Sequence, residues 1–415
     1  MGNMTDICII GGGPAGITAA LSAASRGKKV TIIERNEEPL KKLLLTGSGK
    51  CNYSNSDLKS DYYNFGQNHP FSKVIEEYDS EWLENFFMEK GMLTYKKECL
   101  KYPRNERSDT LKNLLLDLIS KEGVKTINNK KVVSVQKNDE SDNLKEYNDN
   151  RAGFVVKFED GEEIGCEKLI IATGGKAYPS LGSDGAGYRL ARELGHSVSF
   201  TYPVLTRLLT DDKDIRDLSG IRFKARVSAE AEGKIVCVED GDLQFAENAL
   251  SGICIFNLSR FVSKPVEENK ECFVIVDFLP EMSEGEITEY LKKTTSDDAN
   301  FLVNTFGEKT AAFIEKRVGK KMNEAGAGSD KKEEITAFVI KNARIRITGH
   351  DSFNFAQVTK GGVNIDEVDE NLSSKICPGL FFAGEVLDVD GKCGGYNLHW
   401  AFASGYKAGL IAAKD

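Results

Sequence analysis

The pattern of apolar and polar positions changes period several times along the chain. Residues 6–10 (DICII) form a short apolar run that meets a glycine cluster at once. The following ITAALSAASRG reads as a helix of small residues ending at Gly27. Residues 29–34 (KVTIIE) are β-branched and apolar and close on an acid, completing a strand–turn–helix–strand unit of the length a βαβ crossover needs. Helical spacing recurs at 81–90 (EWLENFFMEK) and 111–120 (LKNLLLDLIS). Residues 131–136, 153–158 and 163–172 read as strands, as in a hairpin attached to the main sheet.

After Gly195 the texture changes. Short alternating runs, RFKARVSAEA, KIVCVED and CFVIVDF, fill 197–280 and suggest a small antiparallel barrel or sandwich. Residues 284–345 are rich in Glu, Lys, Ala and Leu and read mostly helical, with AGAGSDKKEE (325–334) as a candidate mobile linker. Glycine-rich signals return from Ala356 onward. The expected fold is therefore α/β. A Rossmann-like domain built from 1–195 and 356–415 is interrupted by an antiparallel β-barrel or sandwich at 196–280 and a mostly helical subdomain at 281–355.

Composition narrows the class without naming it. Of 415 residues, 40% are hydrophobic and 29% charged, an ordinary globular balance. The formal net charge is -9 with both signs interspersed, which argues against a nucleic-acid partner needing a concentrated basic surface. Nine cysteines, an odd number without a CxxC pair, point to reduced, mostly buried thiols. His69, His196, His350 and His399 form no HxH or HxxxH pair, so no metal is expected. The N-terminus lacks a basic region before a cleavage site, and its apolar run is too short to span a bilayer. A cytoplasmic protein acting on a small molecule, away from membranes, is the expectation.

Gly11-Gly12-Gly13-Pro14-Ala15-Gly16 satisfies GxGxxG between a strand and a helix, the context that gives this motif meaning. Gly11 permits the tight turn, Gly13 lets the backbone approach a pyrophosphate, and Gly16 allows close helix–strand packing. The helix N-terminus supplies amide donors and partial positive charge. Glu34 closes the next strand, where a carboxylate accepts hydrogen bonds from both ribose hydroxyls of an adenosine and disfavours a 2′-phosphate.

Two later segments favour FAD over NAD as the resident dinucleotide. Leu169–Gly175 and Gly379–Glu385 are apolar strands ending in glycine, and Asp388 and Asp390 lie just beyond the second. Their order matches large FAD-binding folds of the glutathione-reductase-like kind, where a late strand ends in Gly-Asp or Gly-Glu beside the pyrophosphate or ribityl chain. GSDGAG at 182–187 follows a Tyr-Pro loop and makes no second nucleotide site.

Three motifs carry a family resemblance: Thr46-Gly-Ser-Gly-Lys-Cys-Asn52, Ala172-Thr-Gly-Gly-Lys-Ala-Tyr-Pro179 and the run from Ala383 to Leu398. With Ser251-Gly252 and Val358–Val363 added, essentially the whole chain resembles the YhiN/BaiN family of bacterial FAD-dependent oxidoreductases. That resemblance implies a discontinuous FAD domain interrupted by a barrel and a helical subdomain. It leaves the reaction open, since the family includes a proposed bile-acid ene-reductase and enzymes described as aminoacetone oxidases. The leading expectation is an enzyme that uses NAD(P)H to reduce the flavin and passes hydride to an activated, enone-type C=C, as in an oxo-bile-acid or steroid-like substrate. An amine oxidase using oxygen and a flavin-dependent RNA-modifying or FAD-binding protein are the alternatives.

Candidate cofactor residues extend beyond Gly11, Gly13, Pro14, Ala15, Gly16 and Glu34. Thr46, Gly47, Ser48 and Gly49 suit a loop running beside the flavin, where Lys50 offers a cation and Asn52 an amide to ring or ribityl oxygens. A cation near the N1/C2=O edge stabilises the anionic reduced flavin and raises its potential. Cys51 reads better as a packed small residue than as a redox thiol. Gly395, Asn397 and Leu398 open an Ala-rich helix whose amides can hold the pyrimidine carbonyl, and Tyr396 reads equally as a ring neighbour or a core aromatic. Arg35, Lys42, Val133, Ala172, Thr173, Gly174, Gly175, Tyr178, Gly384, Glu385 and Asp388 complete the cofactor set. The catalytic acid or base is left unassigned.

Overall fold

The computed structural model describes residues 4–138, 153–293 and 298–414. The chain divides into two compact units, Met1–Tyr202 with Val358–Asp415, and Pro203–Gln357.

In the first unit β1 (Met4–Ile10) runs through the glycine turn into α1 (Pro14–Ala24) and on to β2 (Val30–Ile33). The two strands pair in parallel, Ile7 opposite Val30 and Ile10 opposite Ile33. All of β2 is buried, as expected of a parallel strand covered on both faces. β3 (Lys125–Ile127) continues the parallel order beyond β2. On the other side of β1, the predicted hairpin appears as β4 (Val132–Lys137), β5 (Phe154–Phe158) and β6 (Glu163–Ile171). β6 is shared: its start pairs antiparallel with β5, and its end pairs in parallel with β7 (Leu380–Phe382). The C-terminal segment thus completes the seven-stranded sheet that the N-terminus begins.

Helices cover this sheet. α2 (Ser108–Lys121) buries Leu111, Leu115 and Ile119, an i, i+4, i+8 stripe. α3 (Ala186–Glu193) follows the second glycine loop, and α4 (Tyr396–Ala412) ends the unit. α4 lies directly on α1. A Cβ at Gly405 or Gly409 would overlap the carbonyl oxygens of Ala15 and Ala19, so the small residues read in these two helices set how closely they approach.

The second unit is an antiparallel seven-stranded sheet with helices. Strands Arg222–Ala231, Lys234–Ala246 and Cys272–Asp277 fall on the three alternating runs. The path ends at Ala343–Ile347 on one side and Gly349–His350 on the other, segments consecutive in sequence, so the sheet curls until its ends are joined by the chain. Residues 343–345 were expected to be helical. They belong instead to a strand whose buried and exposed positions alternate (ARIRI) and which pairs with Cys272–Asp277. The segment expected as a linker, 325–334, is mostly ordered into elements: helix Glu308–Ala325 stops at left-handed Gly326, a 3₁₀ turn spans Ser329–Lys331, and an α-helix starts at Lys332. Residues from 208–278 and 287–347 contribute to one buried cluster.

Candidate functional site

The glycine turn separates what the protein needs for itself from what it leaves open. Gly11 sits at φ 110°, and a Cβ there would overlap the Ala172 carbonyl oxygen. At Gly16 a Cβ would overlap the Gly11 carbonyl oxygen. Gly13 is different, because a Cβ there would meet nothing within 4 Å. Its missing side chain serves no internal packing, and the open space lies at the end of α1, where Pro14 takes the first turn and no side chain caps the helix. A diphosphate suits such a terminus.

Glu34 is buried beside this turn. Its Oε2 accepts from the Gly12 N–H at 2.8 Å, and its Oε1 accepts from both the N–H and the side-chain amide of Asn36, each at 2.8 Å. The carboxylate is therefore fixed in place by the protein while keeping lone pairs for further donors. Asn36 also donates to the Leu181 carbonyl at 3.0 Å, and Arg35 pairs with Asp184, so the 178–185 loop is tied to the end of β2. Tyr178 enters that loop in a left-handed conformation, φ 60°. Val133 falls at a break in the β4–β5 register, which skips from Val132 to Ser134, and its carbonyl accepts from Arg189.

A second cluster gathers around the ends of β6 and β7. Ala172, Thr173, Gly174 and Gly175 leave β6. Gly175 is pressed against Thr359 and Glu385, since a Cβ would come within 2.9 Å of the Glu385 Oε1. Thr359 Oγ1 accepts from the Lys176 and Ala177 N–H groups at 2.7 and 3.1 Å. Glu385 accepts from the Thr359 N–H at 2.8 Å and pairs with Lys42 at 2.9 Å. Gly384 packs on Ala15 of α1, where a Cβ would stand 2.8 Å from that of Ala15. Asp388 accepts from Ser199 at 2.7 Å and from the Gly361 N–H at 3.1 Å. Burial is the main force raising its carboxyl above the ordinary range, with Asp390 adding to it.

The 46–52 loop is shaped by its backbone. Gly47, Ser48, Gly49 and Cys51 all take positive φ, so the segment curls tightly, with the Thr46 carbonyl accepting from the Cys51 N–H at 3.0 Å. Cys51 is fully buried and burial pushes its thiol up to about 12, which favours a packed residue over a redox thiol. Asn52 does not present its amide outward. With the amide oriented to satisfy its neighbours, the nitrogen donates to the Lys101 and Ser54 carbonyls at 3.2 and 2.8 Å, and the oxygen accepts from the Gly395 N–H at 3.2 Å. Lys50 stands exposed, its ammonium 2.7 Å from Glu106.

At the start of α4, Tyr396 is a core aromatic: it is buried, donates to the Asp57 carbonyl at 3.1 Å and packs edge-on against Tyr62. Asn397 closes the preceding turn, accepting from the Gly391 N–H at 2.7 Å and donating to its carbonyl at 3.0 Å. Leu398 is partly buried against the same core. Gly395, left-handed at φ 94°, precedes α4, whose start carries no side-chain cap. His399 is buried between Ser54 and Tyr78. Its Nε2–H donates to the Tyr78 carbonyl at 2.8 Å, which leaves Nδ1 to accept from Ser54 at 2.9 Å.

Sequence reasoning misses Asn36 and Glu106, and it quotes the motifs holding Thr359 and Asp184 without giving either residue a role. Asn36 carried a local signal, an amide two residues beyond the acid it holds. Asp184 meets Arg35, Thr359 meets Lys176 at a separation of 183 residues, and Glu106 meets Lys50 at a separation of 56, and sequence order gives no sign of these contacts.

Comparison with known proteins sets the class. The chain is 34% identical over 421 residues to a 3-dehydro-bile acid delta(4,6)-reductase of Clostridium scindens, covering 99% of this chain and 100% of that one. It is 27% identical to a ribosomal RNA dihydrouridine synthase of Escherichia coli, with 99% of each covered. Among solved structures, a 3-ketosteroid-delta4-(5alpha)-dehydrogenase of Rhodococcus jostii shares the fold at a TM-score of 0.51 and 16% identity, covering 100% of this chain and 97% of that one. The fold and these relatives define an FAD-dependent oxidoreductase. The chain belongs to the HI0933-like family, whose Rossmann-domain description matches residues 5–411. Among the described residues no helix is long and apolar enough to cross a membrane.

Proposed function

We propose that this protein reduces a carbon–carbon double bond conjugated to a carbonyl, with NAD(P)H as electron donor and FAD as resident cofactor. The full-length identity to a 3-dehydro-bile acid delta(4,6)-reductase is the observation that carries this reading. Bound FAD supplies the hydride-transfer chemistry. The chain's part is to hold and orient it. The open space at Gly13 and the uncapped start of α1 suit the diphosphate, and the fixed Glu34 carboxylate suits the adenosine ribose. Glu385 and Lys42 suit the ribityl side. The uncapped start of α4 suits the pyrimidine carbonyl, and Lys50, exposed on its loop, is assigned as the cation for the flavin edge.

The second reading is an RNA substrate. Two relatives, from E. coli and Haemophilus influenzae, are ribosomal RNA dihydrouridine synthases, at 27% and 26% identity over nearly the whole chain. Dihydrouridine differs from uridine by saturation of a carbonyl-conjugated double bond, so the reaction type is the same and only the carrier changes. The net charge of -9 weighs against the RNA carrier.

Incubating the FAD-loaded protein with NADH or NADPH and either a 3-oxo-4-ene steroid or ribosomal RNA, followed by mass spectrometry, separates the readings. Saturation of the steroid alkene is the expected result. Saturation of uridine alone selects the second reading, and saturation of neither rejects both.

A further inference from the structure

Lys50 and Glu106 are each presented by unusual backbone. Lys50 follows Gly47, Ser48 and Gly49, at φ 57°, 56° and 85°, and its N–H closes the curl on the Gly47 carbonyl at 3.2 Å. Buried Cys51 anchors the loop immediately after it. Glu106 stands at φ 52°, a left-handed conformation that disfavours any side chain, with its N–H donating to the Pro103 carbonyl at 2.8 Å. On conformational grounds this turn calls for glycine. What glutamate adds is a carboxylate, whose Oε2 lies 2.7 Å from the Lys50 ammonium.

That pair is a poor device for stability. The Lys50 side chain is 53% exposed, so water and salt screen the attraction. Backbone strain kept for a weak surface bridge points to a role in function. The ammonium belongs to the loop proposed to run beside the flavin, and an ion-paired cation stabilises nearby negative charge less than one released from its counter-ion.

We propose that Glu106 is a positioning residue: a counter-ion that holds Lys50 while the cofactor is oxidised and yields it to the negative charge of the two-electron-reduced cofactor. This rests on the assignment of Lys50 as the flavin-edge cation. The residues exchange no electrons or protons; both electrons come from the donor, and only the partner of the ammonium changes.

The test is the midpoint potential of bound FAD, read anaerobically against reference dyes. It is measured for the wild type, Lys50→Met, Glu106→Gln and the double variant. Lys50→Met is expected to lower the potential and Glu106→Gln to raise it. In the Lys50→Met background, Glu106→Gln is expected to have no effect, because its influence passes through Lys50. Glu106→Gly, which relieves the backbone strain, is expected to bind FAD normally and raise the potential as the glutamine variant does. An unchanged potential in Lys50→Met overturns the flavin-edge assignment itself. A shift in Lys50→Met with none in Glu106→Gln leaves that assignment standing and overturns the role of Glu106. An equal rise from Glu106→Gln in both backgrounds means a direct field from the carboxylate, and this also overturns the positioning role.

Discussion

The Lys42 ammonium lies 2.9 Å from the Glu385 carboxylate, joining positions 343 residues apart. One follows β2 and the other follows β7, so the pair ties the N-terminal βαβ unit to the strand that completes its sheet. Both side chains are three-quarters or more buried, which limits screening by solvent. Lys42→Met leaves Glu385 with a charge it must hold with one donor fewer. The expected loss of stability is on the order of 1–3 kcal/mol. Denaturant unfolding of Lys42→Met, Glu385→Gln and the double variant checks this, with the double recovering part of the loss.

Gly13 and Gly16 are expected to respond in opposite ways. Gly16→Ala forces a Cβ into the Gly11 carbonyl and should impair folding, seen as low soluble yield and a lowered Tm. A Cβ at Gly13 has open space around it, so Gly13→Val should keep its circular dichroism while losing bound flavin. A Gly13→Val protein that retains stoichiometric FAD places the diphosphate elsewhere.

The glycine turn was legible because every part of its signal is local: strand, turn, helix and acid fall within residues 6–34. Strand β7 was legible as an apolar run, although its partner β6 could be known only from the fold. Asn52 and Tyr396 were not, because an amide or a phenol in a motif looks the same whether it faces a ligand or its own chain. Only the tertiary contacts with Lys101, Ser54 and Asp57 decide that. Residues 343–345 were misread for a related reason. A short alternating run after a long helical stretch is overridden by composition in a wide window, and the ladder to Cys272–Asp277 corrects it.

His399 makes stability depend on pH. Burial lowers its pKa from 6.5 to about 4, so the folded state keeps the ring neutral where the unfolded chain would protonate it. Stability is full above pH 6.5 and falls as pH drops toward 4, by about 3 kcal/mol in total. Burial lowers His69 and His196 as well, adding loss in the same direction. Urea unfolding from pH 7.5 to 4 should show the decline, and His399→Gln should flatten part of it.

Steady-state kinetics follow from the single dinucleotide turn. The 182–187 glycines follow a short 3₁₀ turn at Pro179–Leu181 and lead into α3, with no strand before them. With FAD at Gly11–Gly16, a nicotinamide donor has no Rossmann turn of its own among the described residues. Donor and acceptor should therefore take turns, giving parallel double-reciprocal plots. Intersecting lines would reveal a second nucleotide site.

The most direct measurement is a single anaerobic turnover. The FAD-loaded protein is reduced by one equivalent of NADH or NADPH, mixed without oxygen with a 3-oxo-4-ene steroid, and followed through the flavin absorbance. The oxidised spectrum should return as one equivalent of the saturated ketone forms. A flavin that stays reduced until air is admitted, then releases peroxide and leaves the alkene intact, would contradict the proposed function.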